Sequence, residues 1–315
     1  MDNDNRKLIS IVIPVFNEEE GLAELWNRLH AVTEELDYHW EVLFVDDGST
    51  DNSLAKLYQI QLSDSFIRVI SLSRNFGHQP ALTAGIDLAQ GEAVILMDAD
   101  LQDRPEAISD FIREWEDGGD VIYAVRTSRQ EGYLQIFFFS AFYRILGKLS
   151  RIQLPLNAGI FGLLDRRVVN ILKAMPERNR YFPGLRAYAG FKQVGVPVDR
   201  DARFSGSARV GLKGLIKLAF DAIFSFSYVP IRILTGIGLI TASSAFIYII
   251  FIFYFKFVSH KAIEGWASVM GSLLFLGGLQ LVMLGVIGEY IARIYEESKH
   301  RPYYIIDENK NCEGI

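Results

Sequence analysis

Three carboxylates fall within six positions of the stretch AVILMDADLQD, residues Ala93 to Asp103: Asp98, Asp100 and Asp103. The apolar run Ala93 to Met97 leads straight into them. Carboxylates this close repel and raise one another's pKa, and a cation relieves both effects. Taken alone, an Asp-x-Asp is more often a solvated loop than a metal site. Its neighbours decide the matter. Asp46 and Asp47 stand together in VDDGSTD, and Asn17 and Glu18 follow the apolar run SIVIPVF. Mg²⁺ and Mn²⁺ take oxygen ligands and readily share their shell with water and substrate phosphates. Asp98 and Asp100 are therefore candidate ligands for a divalent cation that holds a diphosphate. Asp46 or Asp47 could accept hydrogen bonds from a ribose or a base. The plainer reading of DDGSTD is a turn with a helix cap. Ser49 and Asp51 suffice for that, and two adjacent aspartates exceed it.

Such residues need elements to position them, and the first 125 residues supply a regular alternation. Apolar runs at Ser10–Phe16, Trp40–Val45, Ile67–Leu72, Ala93–Met97 and Asp120–Ala124 read as buried strands. Between them lie helices. Leu22, Leu25, Trp26, Leu29 and Val32 share one helical face, Ser49 can cap a helix near Asp51–Leu62, and Pro80 and Pro105 open two more. Strand–helix alternation with short connections predicts an α/β fold with a mainly parallel sheet covered on both faces. Ligands of such sheets bind at the carboxyl ends of strands, where all three polar clusters fall. No GxGxxG and no GxxxxGK[ST] occurs, so neither a dinucleotide fingerprint nor a P-loop is signalled. A further helix is expected at Arg166–Met175, and a strand at Lys192–Val198. Tyr133–Leu149 fits either a core helix or one lying on a membrane face.

The C-terminal third has a different character. Ile233 to Phe255 and Gly265 to Gly288 carry no charge, and about 20 residues span a bilayer core as a helix. They predict a two-helix transmembrane hairpin. Arg209 to Pro230 reads as a basic amphipathic helix at the membrane interface. Arg209, Lys213, Lys217 and Arg232 precede the first span, and Arg293, Lys299 and Arg301 follow the second. The positive-inside rule then places both termini in the cytoplasm. The expected organisation is a cytoplasmic domain (1–207), an interfacial helix (208–230), the hairpin (231–290) and a cytoplasmic tail (291–315). The expected location is the inner (plasma) membrane, with a multi-pass topology.

Bulk composition narrows the partners. Half of the 315 residues are hydrophobic, and the net charge is −6, which argues against a nucleic-acid partner. Cys312 is the single cysteine, so the chain offers no internal disulfide and no cysteine-based zinc site. The N-terminal stretch MDNDNRKLIS has no apolar segment of the signal-peptide kind.

The landmarks SIVIPVFNEEE, VDDGSTD, LSRNFGH, AGIDLAQGE and MDADLQDRPE occur in that order. Together they resemble family 2 glycosyltransferases, and LLDRRVV, FSFSYVPIR and the two apolar spans resemble the polyisoprenyl-phosphate branch of that family. The resemblance covers nearly the whole chain. It implies a Rossmann-like nucleotide-sugar-binding domain of the A-type glycosyltransferase fold. It implies inverting, metal-dependent transfer of a hexose from a nucleotide diphosphate sugar, with UDP-glucose or a similar UDP-sugar favoured over a GDP-sugar, to polyprenyl phosphate at the bilayer. By that resemblance Asp98 and Asp100 bind Mg²⁺ or Mn²⁺ on the donor diphosphate. Pro14, Asn17, Glu18, Asp46 and Asp47 line the nucleotide pocket. Arg203 and Arg209 fall at the basic positions of a phosphate-closing loop in RFSGSAR. Self-association, as a tetramer or otherwise, is also implied.

One stretch departs from the pattern. Related bacterial enzymes read GDFRL where this chain reads GIFGL, Gly159 to Leu163. Ile160 replaces an aspartate and Gly162 an arginine. An isoleucine neither binds metal nor moves a proton, but a phosphate acceptor is already anionic at neutral pH. Two other readings compete. A processive polysaccharide synthase would carry QxxRW, which is absent. A catalytically silent nucleotide-sugar-binding scaffold draws its support from Ile160 and Gly162.

Overall fold

The structure is a computed structural model that describes residues 6–126, 158–178, 180, 182–199, 229–257 and 265–307. Two compact units divide the chain: Met1–Leu215 with Arg301–Ile315, and Ile216–His300.

The first unit is built on a sheet with seven described strands. In chain order these are β1 (Leu8–Val15), β2 (His39–Asp46), β3 (Ile67–Ser71), β4 (Ala93–Leu96), β5 (Val121–Arg126), β6 (Ala158–Asp165) and β7 (Gln193–Val198). Their spatial order is β3-β2-β1-β4-β6-β5-β7. β1 pairs in parallel with β2 and β4, and β2 with β3. β1 is buried along nearly its whole length, as a strand covered on both faces must be. Helix α1 (Leu22–Glu35) buries Leu22, Leu25, Trp26, Leu29 and Val32, the face expected from its spacing. It packs with α2 (Ser53–Gln61) and α4 (Ile108–Glu116) over Ile9, Ile11, Ile13, Phe44 and Ile95. Helix α3 (His78–Leu88) covers the opposite face, where a Cβ on Gly85 would lie 2.2 Å from Val12 Cγ1. Helices α5 (Arg166–Ala174) and α6 (Phe182–Ala189) follow β6.

The sheet is mainly parallel, as expected, β5 and β7 also pairing in parallel, but one strand makes it mixed. β6 inserts between β4 and β5 and runs antiparallel to both. GIFGL is the middle of this strand, and it escaped the sequence reading because two glycines in eight residues weaken a strand signal. Gly162 has a positive reason to be glycine: a Cβ there would lie 2.2 Å from the carbonyl oxygen of Ile122. Smaller boundaries also shift. Helix α3 begins at His78 rather than Pro80, and Pro105 opens a single 3₁₀ turn, Pro105–Ala107, ahead of α4.

The second unit contains α7 (Val229–Phe257) and α8 (Trp266–Ser298). Within α8, Val269–Ser298 is long and apolar enough to cross a membrane; the described apolar stretch of α7, Leu234–Tyr248, is shorter. Leu239, Phe246, Leu273 and Leu281 are exposed on these helices. The expected helices at Tyr133–Leu149 and Arg209–Pro230 fall outside the described residues, apart from the last two positions of the second.

Candidate nucleotide-sugar site

β2 and β3 lie on one side of β1, and β4 lies on the other. Ligands bind at the carboxyl ends of strands where the order reverses in this way. A cleft of about 440 Å³ opens at that point. Pro14, Phe16 and Glu18 reach it from the end of β1, and Asp47 from the end of β2. Asn75, Gly77 and His78 come from the turn between β3 and α3, and Asp98 and Asp100 from the end of β4.

The structure therefore gathers Pro14, Glu18, Asp47, Asp98 and Asp100 around one cleft. Asn17 and Asp46 are not among its lining residues; they build the wall behind it. Asn17 adopts a φ of 52°. Its N–H donates to Ser49 Oγ at 3.1 Å, and its Oδ1 accepts from the Thr50 N–H at 2.8 Å. Asp46 accepts from the Ser49 N–H at 3.3 Å and from the Ser71 hydroxyl at 3.4 Å. Ser49 thus ties two loops together instead of capping α2, whose cap position is Asn52. Arg203 and Arg209 lie outside the described residues.

Asp47 shapes the turn that forms the far wall. Its two carboxylate oxygens accept from the Phe76 N–H at 2.7 Å and the Gly77 N–H at 2.8 Å. Gly48, at φ 68°, lets this turn come close: a Cβ there would sit 2.6 Å from the Arg74 carbonyl carbon. Burial pushes the Asp47 carboxyl up, the two N–H groups oppose it, and the Asp46 charge adds to the rise; the net shift is upward.

His78 opens α3 and sets its Nε2 2.8 Å from Asp98 Oδ1. Burial alone would lower the imidazole pKa. The hydrogen bond and charge of Asp98, with Asp47 and Asp100 behind it, outweigh burial and raise it. The sequence reading used LSRNFGH as a landmark and gave His78 no role. The available signal was a histidine directly after a glycine, at a helix start that follows a strand. Asp100 Oδ1 accepts from the Gln102 N–H at 3.2 Å, which closes a tight turn through Leu101.

Among the described residues, no three His, Cys, Asp or Glu side chains converge as a closed metal cage. The donor set here is two aspartates facing an open cleft. That fits a hard divalent cation that completes its shell from water and a bound phosphate, and it does not fit a protein-only site. Asp98 also borders a second, tight recess of about 20 Å³ with Asp103, Ile160, Phe161 and Asp199. The departure at Ile160 therefore sits beside the candidate metal carboxylate.

Residues 10–171 match Glycosyl transferase family 2, and residues 229–294 match the GtrB C-terminal hairpin family. An uncharacterized glycosyltransferase of Synechocystis is 44% identical over 301 residues, covering 95% of each chain. The bactoprenol glucosyl transferase of Shigella phage SfV is 40% identical over 303 residues, covering 96% of this chain and 99% of its own. A prophage bactoprenol glucosyl transferase homolog of Escherichia coli is 40% identical over 299 residues, covering 95% and 98%. The mannosyltransferase PcManGT of Pyrobaculum calidifontis, solved with GDP-Man and Mn²⁺, is a distant likeness. It has a TM-score of 0.45 at 17% identity over 64% of this chain and 59% of its own.

Proposed function

Because the chain belongs to glycosyl transferase family 2, and is thereby a glycosyltransferase, we propose that it moves a hexose from a nucleotide diphosphate sugar to polyprenyl phosphate. UDP-glucose is the first donor to test, since bactoprenol glucosyl transferases align with nearly the whole chain. The observation that carries the reading is the cleft at the β1/β4 switch point, which gathers Asp98 and Asp100 with Asp47, Gly77 and His78. Pro14 and Glu18, which also line that cleft, would face the nucleotide. Asn17 and Asp46 hold its wall.

Asp98 and Asp100 would hold Mg²⁺ or Mn²⁺. When bound, the cation neutralises charge on the departing diphosphate. His78 holds Asp98 from within the cleft and adds positive character beside its carboxylates. A phosphate oxygen of the lipid attacks the anomeric carbon as the bond to the nucleotide diphosphate breaks, with inversion. No proton need be removed from that oxygen at neutral pH, so an isoleucine at position 160 is compatible with turnover. Arg203 and Arg209 are proposed to close on the phosphates. The two apolar helices would anchor the chain in the inner membrane as a hairpin with the catalytic domain cytoplasmic, and confinement there raises the effective concentration of a lipid acceptor.

The test presents the intact chain in liposomes containing undecaprenyl phosphate with labelled UDP- and GDP-sugars, in Mg²⁺, Mn²⁺ or EDTA. Label entering the organic phase from one donor, abolished by EDTA and by Asp100→Ala, is the expected result. Nucleotide binding without transfer from any donor would instead favour a silent scaffold, the reading that Ile160 beside Asp98 supports.

A further inference from the structure

The segment that follows α8 returns to the first unit of the fold. Residues Ile305–Asp307 pair with Ser71–Ser73, at the carboxyl end of β3, the terminal strand of the sheet. The Ser73 N–H donates to the Ile305 carbonyl at 2.9 Å, and the Asp307 N–H donates to the Ser71 carbonyl at 2.8 Å. Leu72 and Ile306 form the antiparallel bridge between these bonds. Backbone groups at a sheet edge lack a strand partner, so these bonds fasten the end of β3.

Where the segment grips is informative. Ser71 is the last residue of β3, and Leu72 and Ser73 lead from it into the turn that contributes Asn75, Gly77 and His78 to the cleft. Tyr304 reaches further: its hydroxyl donates to Asp87 Oδ2 at 3.0 Å, on the last turn of α3. Burial, with the nearby Asp87 charge and hydrogen bond, keeps that phenol protonated and donating. Tyr303 lies under the Arg180 guanidinium, which also approaches Thr83 on α3. The segment thus holds the strand before the cleft turn and the helix after it. Asp47 holds the same turn from inside the sheet.

We infer that Tyr303–Asp307 is a positioning element of the donor site, which fixes the turn Arg74–His78 in the geometry that receives a nucleoside diphosphate. The inference rests on the proposed donor site and adds a part of the chain that touches no substrate. Tyr304 is its positioning side chain, acting through Asp87 and α3.

The experiment uses the intact chain in detergent, with UDP and GDP as probes, against a variant ending at His300. Further variants are Tyr304→Phe and Asp307→Pro, the last removing one backbone donor and no buried apolar group. The truncated chain is expected to bind its nucleotide about tenfold more weakly. In turnover it should show a raised donor KM with kcat within about threefold. A synthetic peptide of residues 301–315 added in trans should restore binding, which a globally misfolded chain would not allow. Tyr304→Phe and Asp307→Pro should each lose severalfold in affinity with an unchanged circular dichroism spectrum. If the folded Tyr304→Phe and Asp307→Pro chains, or a folded truncated chain, bind within twofold of the parent, the positioning role is overturned. If the parent itself binds neither nucleotide, the donor-site reading has failed instead, which is a separate result.

Discussion

Gly85→Ala tests how the core sets the cleft. On an exposed helix this change is favourable by about 1 kcal/mol, because alanine is the better helix former. Here the sign should invert. The new Cβ would lie 2.2 Å from Val12 Cγ1, 3.3 Å from Val12 Cβ and 3.2 Å from Val45 Cγ2. Carbon atoms rest at about 3.5–4.0 Å, so the first contact overlaps by more than about 1 Å. Val12 and Val45 are fully buried in adjacent central strands, and valine is stiff at χ1. Relief must come from α3 moving outward. Overpacking of this kind costs about 1–3 kcal/mol, occasionally more. After the propensity gain, a net loss of about 1 kcal/mol is expected, or a fall of about 2–4 °C in Tm for a domain of this size. His78 sits seven residues earlier on the same helix, about 10 Å away along its axis. An outward shift of α3 should therefore loosen the His78–Asp98 contact and weaken nucleotide binding as well. Thermal unfolding of the intact chain in detergent, followed by tryptophan fluorescence, reads the first effect, and nucleotide titration the second. Adding Val12→Ala should make room, so the double variant should lose less than the sum of the singles. A Tm equal to or above the parent's in Gly85→Ala alone would refute the packing argument.

Three further outcomes follow from the same geometry. Glu41, almost fully buried, accepts from Ser10 Oγ at 2.6 Å, the Gln90 N–H at 2.8 Å and Arg68 at 2.5 Å; Glu41→Ala should cost about 2–4 kcal/mol in urea unfolding through the donors it strands. The Arg28 fork on Glu106, at 2.9 and 2.7 Å, holds that carboxyl below its ordinary 4.5. A depressed folded pKa means the contribution is present above 4.5 and lost as pH falls through the folded value. The Tm gap between the parent and Glu106→Gln should therefore be widest at neutral pH and close on acidification, and a gap independent of pH would count against the pairing. Asp100→Asn should weaken Mn²⁺ binding at least tenfold by electron paramagnetic resonance in the presence of nucleotide, while leaving the Tm without metal within about 2 °C, since the isosteric amide keeps an oxygen to accept from the Gln102 N–H.

Periodicity made the front half of the fold legible, because β1 to β4 are continuous apolar runs and α1 shows a clean 3.6-residue face. The acidic strand ends were legible for the same reason: once the strands are placed, a parallel sheet can use only their carboxyl ends. What failed was sensitivity to backbone proximity. β6 looked too rich in glycine for a strand, yet Gly162 is glycine because the β5 backbone leaves no space for a side chain. Gly91, in AGIDLAQGE, has a similar cause, since a Cβ there would lie 2.5 Å from the Ser10 nitrogen. Ser49 was misread as a helix cap because its partner, the Asn17 N–H, is 32 residues away in sequence. His78 was passed over because its meaning comes from Asp98, twenty residues on, and not from its own neighbourhood.

The Asp-x-Asp turn shows where local preference yields to the site. Leu101 adopts a φ of 58°, a left-handed conformation that costs a leucine about 1 kcal/mol or more. Glycine would remove that strain. Yet the Leu101 side chain is 3% exposed, and its Cδ1 reaches to 3.4 Å from where a Cβ on Gly21 would stand, just ahead of α1. Burying a leucine is worth about 1.5–3 kcal/mol, which exceeds the strain. The leucine therefore acts as a peg: it fastens the turn between Asp100 and Gln102 to the loop that leaves β1. Asn17, at φ 52°, bends that same loop and is itself fastened to Ser49 and Thr50 after β2. Strained residues tend to cluster at sites where the surroundings over-determine them. Two of the four non-glycine residues with positive φ among the described residues flank this cleft, one after β1 and one after β4. The loop after β1 and the turn after β4, which carry Glu18 and Asp100 into the cleft, are thus fastened to each other and to the loop after β2 by packing and hydrogen bonds within the chain itself.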